Sequence, residues 1–67
     1  MINVEFYPID HKIYLVLQRK NYNNVSYVFL GNEMDNTDFM IRKEINGNLE
    51  PLETMDELYK VAPLFIN

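Results

Sequence analysis

Four residues near the C-terminus, Thr54-Met55-Asp56-Glu57, constrain this chain more than any other stretch. They match the capping box S/T-x-x-E, in which the Thr hydroxyl accepts from the amide of the Glu and the Glu carboxylate reaches back to the amide of the Thr. Asp56 and Glu57 also place negative charge at the positive end of a helix dipole. Leu58, Val61, Ala62 and Phe65 then follow at the i, i+3, i+4, i+7 spacing of one buried stripe. Pro63 cannot donate to a helical ladder, so the pattern predicts a helix over about 54–62, with Leu64 and Phe65 as an anchoring turn. A helix of two to three turns is marginal in water. It needs a sheet to lie on.

The preceding residues supply one. Ile2, Val4 and Phe6 alternate with polar residues, and Tyr7 to Lys12, with Pro8 inside, reads as a turn. Lys12 to Arg19 is apolar and β-branched, too continuous for a strand with one wet face. Asn21 to Asn24 is a polar break, Val25 to Leu30 a third strand closed by Gly31, and Gly31 to Asp38 a loop rich in Asn and Asp. Phe39 to Ile45 alternates, with Lys43 the exception on its apolar side. Asn46-Gly47 is the strongest hairpin signal, because a type I′ turn needs φ > 0 at both central residues. Asn48 to Leu52 returns as a short strand that Pro51 confines to an edge. These readings predict one small α+β domain over residues 1–67: an antiparallel meander of four to five strands with one short C-terminal helix packed on one face.

A chain of 67 residues buries only about 60% of the surface that its unfolded form exposes, which leaves about 3–5 kcal/mol of net stability from a single core. Few buried polar groups fit within that margin. The absence of cysteine excludes disulfides and thiolate metal sites. A net charge of −4 argues against direct binding to nucleic-acid phosphates. No apolar run reaches the ~18 residues of a membrane span, and the N-terminus lacks the basic region of a signal peptide. The expected setting is therefore cytoplasmic, and the glycosylation-like triplet Asn24-Val25-Ser26 reads as coincidence.

Candidate chemistry is sparse. His11, the only histidine, sits in the Pro-containing turn with no nucleophile to activate, and Ser26, the only serine, lies in a strand without a glycine elbow. Oxygen ligands alternate from Asn32 to Asp38, as Ca²⁺ would favour, yet Lys43 stands where a calcium loop needs a bidentate Glu. Asp35 and Asp38 could pair for acid–base work, but nothing supplies a cleft. The sequence predicts no catalytic residue, no cofactor and no metal. It reads as a protein that is not an enzyme.

The segment Leu49-Glu50-Pro51-Leu52-Glu53-Thr54, with Asp56 and Glu57 after it and Val61 and Phe65 beyond, resembles a family of short acidic β-rich bacterial proteins of unknown function, whose ends read L-E-P-[IL]-E-T followed by acids. Tyr27 to Leu30 and Phe39 to Lys43 share its character, so the resemblance covers about residues 25–66. Leu58 stands where an aromatic is common in that family, and this chain is less acidic. The resemblance implies a β-rich fold with a C-terminal helical segment and assigns no functional residue.

Strand periodicity points to a surplus of apolar surface. If Ile13, Leu15 and Leu17 face the helix, Tyr14 and Val16 face away. By the same alternation, Val28, Leu30 and Met40 lie opposite Val25, Tyr27, Phe29, Phe39 and Ile41. Tyr14, Val16, Val28, Leu30 and Met40 would then form an exposed patch on the face opposite the helix, unless Met1 to Phe6 or a barrel-like curl of the sheet covers it. The patch predicts a protein-interaction module that self-associates or binds a protein partner. The alternative is a small acidic inhibitor, such as a phage-encoded protein, occupying a basic nucleic-acid-binding site on a partner. For that, Glu33, Asp35, Asp38, Glu44, Glu50, Glu53, Asp56 and Glu57 must share one surface.

Overall fold

The computed structural model describes residues 4–65. Five strands form one antiparallel sheet in sequential order: β1 (Phe6–Ile9), β2 (Lys12–Tyr22), β3 (Val25–Asn32), β4 (Asp35–Ile45) and β5 (Asn48–Glu50). The α-helix α1 (Met55–Val61) follows and tightens into a 3-10 turn at Ala62–Leu64. The α+β meander with a short C-terminal helix is thus present.

Turn chemistry sets the strand ends. Asp10-His11, Asn23-Asn24 and Asn46-Gly47 each have positive φ at both residues, from 50° to 82°. These are type I′ turns, whose twist matches that of the flanking strands. Asn and Asp tolerate that region, which is why two of the turns form without glycine. At the fourth connection the Asn32 Oδ1 accepts from the Met34 amide at 2.8 Å, so β3 turns into β4 after only Glu33 and Met34.

The structure corrects four segments. β2 runs on through Asn21 and Tyr22, leaving only Asn23-Asn24 as the break, and the return strand β5 ends at Glu50, short of Pro51 and Leu52. Tyr7 to Ile9 belong to β1 rather than to a turn. Pro8 is accepted because β1 is an edge strand and Pro8 stands opposite Ile13, one place from the hydrogen-bonded pair Ile9 and Lys12, so its missing donor points outward. The Asn- and Asp-rich loop is likewise mostly strand. Gly31 pairs with Phe39 and Asn32 with Asp35, so Asn36, Thr37 and Asp38 bulge from β4. Ile2 lies outside the described residues.

Thr54 caps α1 as the sequence predicts, its Oγ1 accepting from the Glu57 amide at 3.1 Å. The return bond differs: Glu57 Oε1 accepts from the Glu53 amide at 2.8 Å, one residue earlier than in the capping box. Val61 and Phe65 are buried, as the helical stripe requires.

The sheet has a core on each side. On the helix side Tyr27, Val61 and Phe65 are buried, with Tyr22, Val25, Phe29, Ile41, Leu52 and Leu64 around them. On the other side Tyr14, Val28 and Leu30 are buried among Tyr7, Ile9, Val16, Met40 and Leu49. That second core exists because the sheet curls into a half-barrel. In a flat sheet β1 and β4 would stand about 14 Å apart, yet the Tyr7 hydroxyl donates to Glu44 at 2.9 Å. A register shift at Leu17, between Val16 and Gln18, adds local twist to β2.

Candidate interaction surface

The curl decides which residues a partner can reach. Strand alternation groups Tyr14, Val16, Val28, Leu30 and Met40 on the face away from the helix, and all five meet in one cluster. They are not an exposed patch. Val28 and Leu30 are fully buried and Tyr14 nearly so, with only Val16 and Met40 partly open. The expectation of an open far face is corrected: the concave side of the half-barrel closes over it within one chain.

Polar groups complete that closure. Glu44 accepts from Arg19 Nε at 2.7 Å, from Ser26 Oγ at 2.8 Å and from the Tyr7 hydroxyl. Arg19 also pairs with Glu5. The Arg19 guanidinium, followed by the Ser26 and Tyr7 hydroxyls, holds the Glu44 carboxyl at about 2 against the pull of burial. Tyr14 donates to Asp38 at 2.5 Å, and Asn32 donates to the same oxygen at 3.1 Å. Asp38 is lowered by those donors, and the Tyr14 phenol is raised by its carboxylate partner. Ser26, Asp38 and Asp35 thus serve the fold, Asp35 accepting from the Thr37 amide and hydroxyl. His11 stands exposed at the turn between β1 and β2. Among the described residues no cluster of three His, Asp or Glu could hold a metal ion, and no helix is long and apolar enough to cross a membrane.

Nor do the acids share one surface. Glu33, Asp35 and Asp38 lie at the turn between β3 and β4, Glu44 on the concave face beside Arg19, and Glu50, Glu53, Asp56 and Glu57 around the start of α1. Several have internal partners. Lys43, buried on the helix side, reaches Glu53 at 3.2 Å and Glu57 at 3.3 Å. Burial acts to lower the Lys43 ammonium, but its bonds to the two carboxylates outweigh this and leave it raised. Glu57 also accepts from the buried Tyr27 hydroxyl at 2.7 Å. Lys43 therefore breaks the apolar alternation of β4 in order to join the sheet to the helix start. Asp56 pairs with Lys60 one turn along α1.

The open apolar surface lies on the helix side. Phe6, Leu15, Gly31 and Phe39 stand in register across β1, β2, β3 and β4, on the same face as α1. Gly31 presents no side chain, so Leu17 and Phe39 close over it; a Cβ there would lie 2.9 Å from Leu17 Cδ1. Phe39 stacks on Phe29 with ring centres 5.4 Å apart, and Phe29 on the buried Phe65 at 5.9 Å. This aromatic line starts under the helix and ends in solvent. Phe6 is 57% exposed, Phe39 49% and Leu17 47%. Beside them a groove of about 580 Å³ runs between β4 and the 51–58 segment, floored by Phe29, Phe39 and Ile41 and walled by Leu52, Met55 and Leu58.

Sequence periodicity assigned Leu17 and Phe39 to the helix-covered core. A seven-residue helix is only about 10 Å long, whereas five strands span about 19 Å. That mismatch was the available signal for where bare surface remains. No protein-family model, curated protein or solved structure matches the chain.

Proposed function

We propose that this chain is a non-enzymatic protein-interaction module, binding a second copy or another protein through the uncovered half of its helix-bearing face. The observation that carries the reading is the exposed row Phe6, Leu17 and Phe39, continuous with the apolar groove beside α1. Among the described residues no layer lies above these side chains, and burying them against a partner is favourable at about 25 cal/mol per Å². The engagement of Ser26, Asp35, Asp38, Glu44 and Glu57 in bonds that close the fold supports a structural rather than catalytic use of the polar groups.

A photo-crosslinking residue in place of Leu17 tests this in the native cell. The expected result is one discrete adduct, with a second copy or with a single partner, that is absent when the same residue replaces the exposed Asn48. Equal, diffuse labelling from both positions would overturn the reading.

A further inference from the structure

The bare half of the helix-bearing face is a shelf, and α1 stands beside it as a ridge. Pro8 and Ile13 pair two residues along from Phe6 and Leu15, so they share the shelf with Leu17 and Phe39. All six are apolar. The ridge has two unlike flanks. At about 100° per residue, Met55, Leu58 and Tyr59 fall on one side of α1. Met55 and Leu58 line the groove, so that apolar flank is turned toward the shelf. Asp56 and Lys60 pair on the other flank, beside Tyr22 and Asn23. Met55 is 59% exposed and Tyr59 69%, so the apolar flank is as open as the shelf below it.

We infer that two copies of the chain pair through this face about a two-fold axis running along the step, the α1 of each lying over the shelf of the other. A step of this shape is complementary to itself: turned about such an axis, ridge meets shelf and shelf meets ridge. The proportions agree, because α1 covers only about half of its face and a second α1 matches what remains. So does the area. At about 200 Å² for a fully exposed side chain of this size, Phe6, Leu17, Phe39, Met55 and Tyr59 leave about 500 Å² of apolar surface on each copy. A symmetric pair therefore withdraws about 1,000 Å² at those positions before the groove is counted, where stable interfaces begin near about 1,200 Å². A lone helix of another protein would cover the shelf and leave Met55 and Tyr59 bare, whereas a second copy covers both. Charge does not oppose the pairing, although each copy carries −4. Glu50 and Glu53 lie against Lys43, about 13 Å along β4 from Phe39, and Asp56 is matched by Lys60. The inference rests on the interaction reading and names its partner as a second copy.

The test is sedimentation velocity of the full chain over a concentration series, beside Leu17→Lys on the shelf, Tyr59→Glu on the ridge, and an equal mixture of the two variants. Both positions are exposed in the single chain, so neither change disturbs its fold. Ridge-on-shelf pairing predicts a concentration-dependent dimer of the unaltered chain and a dissociation constant raised at least about tenfold in each variant alone. The mixture recovers the dimer, because a mixed pair keeps one contact unaltered and sets the introduced glutamate over the introduced lysine in the other. Three outcomes overturn the proposal: an unaltered chain that stays monomeric up to about 1 mM, a dimer that either variant leaves unweakened, or a mixture as weak as the variants alone. If any of these occurs while Leu17 still cross-links to a single partner, ridge-on-shelf pairing is wrong and the interaction reading stands. A monomer together with diffuse labelling from Leu17 would remove both.

Discussion

Glu44 shows how single residues hold the half-barrel shut. It gathers Arg19 from β2, Ser26 from β3 and Tyr7 from β1 onto one carboxylate of β4, bringing four strands together over the concave core. Its folded-state pKa of about 2 lies below its ordinary value of 4.5. The stabilisation is therefore present above pH 4.5 and is lost as the pH falls from there toward 2. Arg19 is partly open to solvent, which screens the pair and brings the contribution to about 1–2 kcal/mol. Urea unfolding at stepped pH should show stability falling over that window, and Glu44→Gln should flatten the fall. An unchanged slope in the variant would place the acid sensitivity elsewhere. Nothing in the sequence pattern singles this group out, because Glu44 in a strand reads as an ordinary solvated position.

At the scale of elements, helix and hairpins were the most legible features because their signals are local. Thr54 and Glu57 fix the start of α1 whatever surrounds them, and Asn46-Gly47 fixes its turn in the same way. The turn read over Tyr7 to Lys12 contains Asp10-His11 but starts three residues early, because Pro8 reads as a turn residue until the strand is known to lie at an edge. His11 holds φ 65°, a region that costs most side chains about 1 kcal/mol. His11→Gly creates the favoured Asp-Gly pair and should raise the stability of the chain by about 0.5–1 kcal/mol, whereas His11→Val should lower it by at least as much. The two urea midpoints moving in the same direction would show that this turn does not limit the β1–β2 hairpin.

For the whole molecule, alternation placed side chains on the correct faces but could not say which face water reaches. Tyr14, Val28 and Leu30 read as surplus because a flat sheet with one helix has a bare back. Curvature comes from pairings across three strands, such as Tyr7 with Glu44, and a one-dimensional pattern does not carry them. The same curvature leaves Phe6, Leu17 and Phe39 beside a helix too short to cover them. The concave side is thus sealed within one chain, while the helix side is half open. Urea unfolding of Leu17→Lys beside Leu30→Ala, at concentrations where the chain is monomeric, compares the two sides in one experiment. A half-open helix side predicts a loss below about 1 kcal/mol for Leu17→Lys, and a sealed concave core predicts about 2–5 kcal/mol for Leu30→Ala. The reverse order would contradict this arrangement of faces.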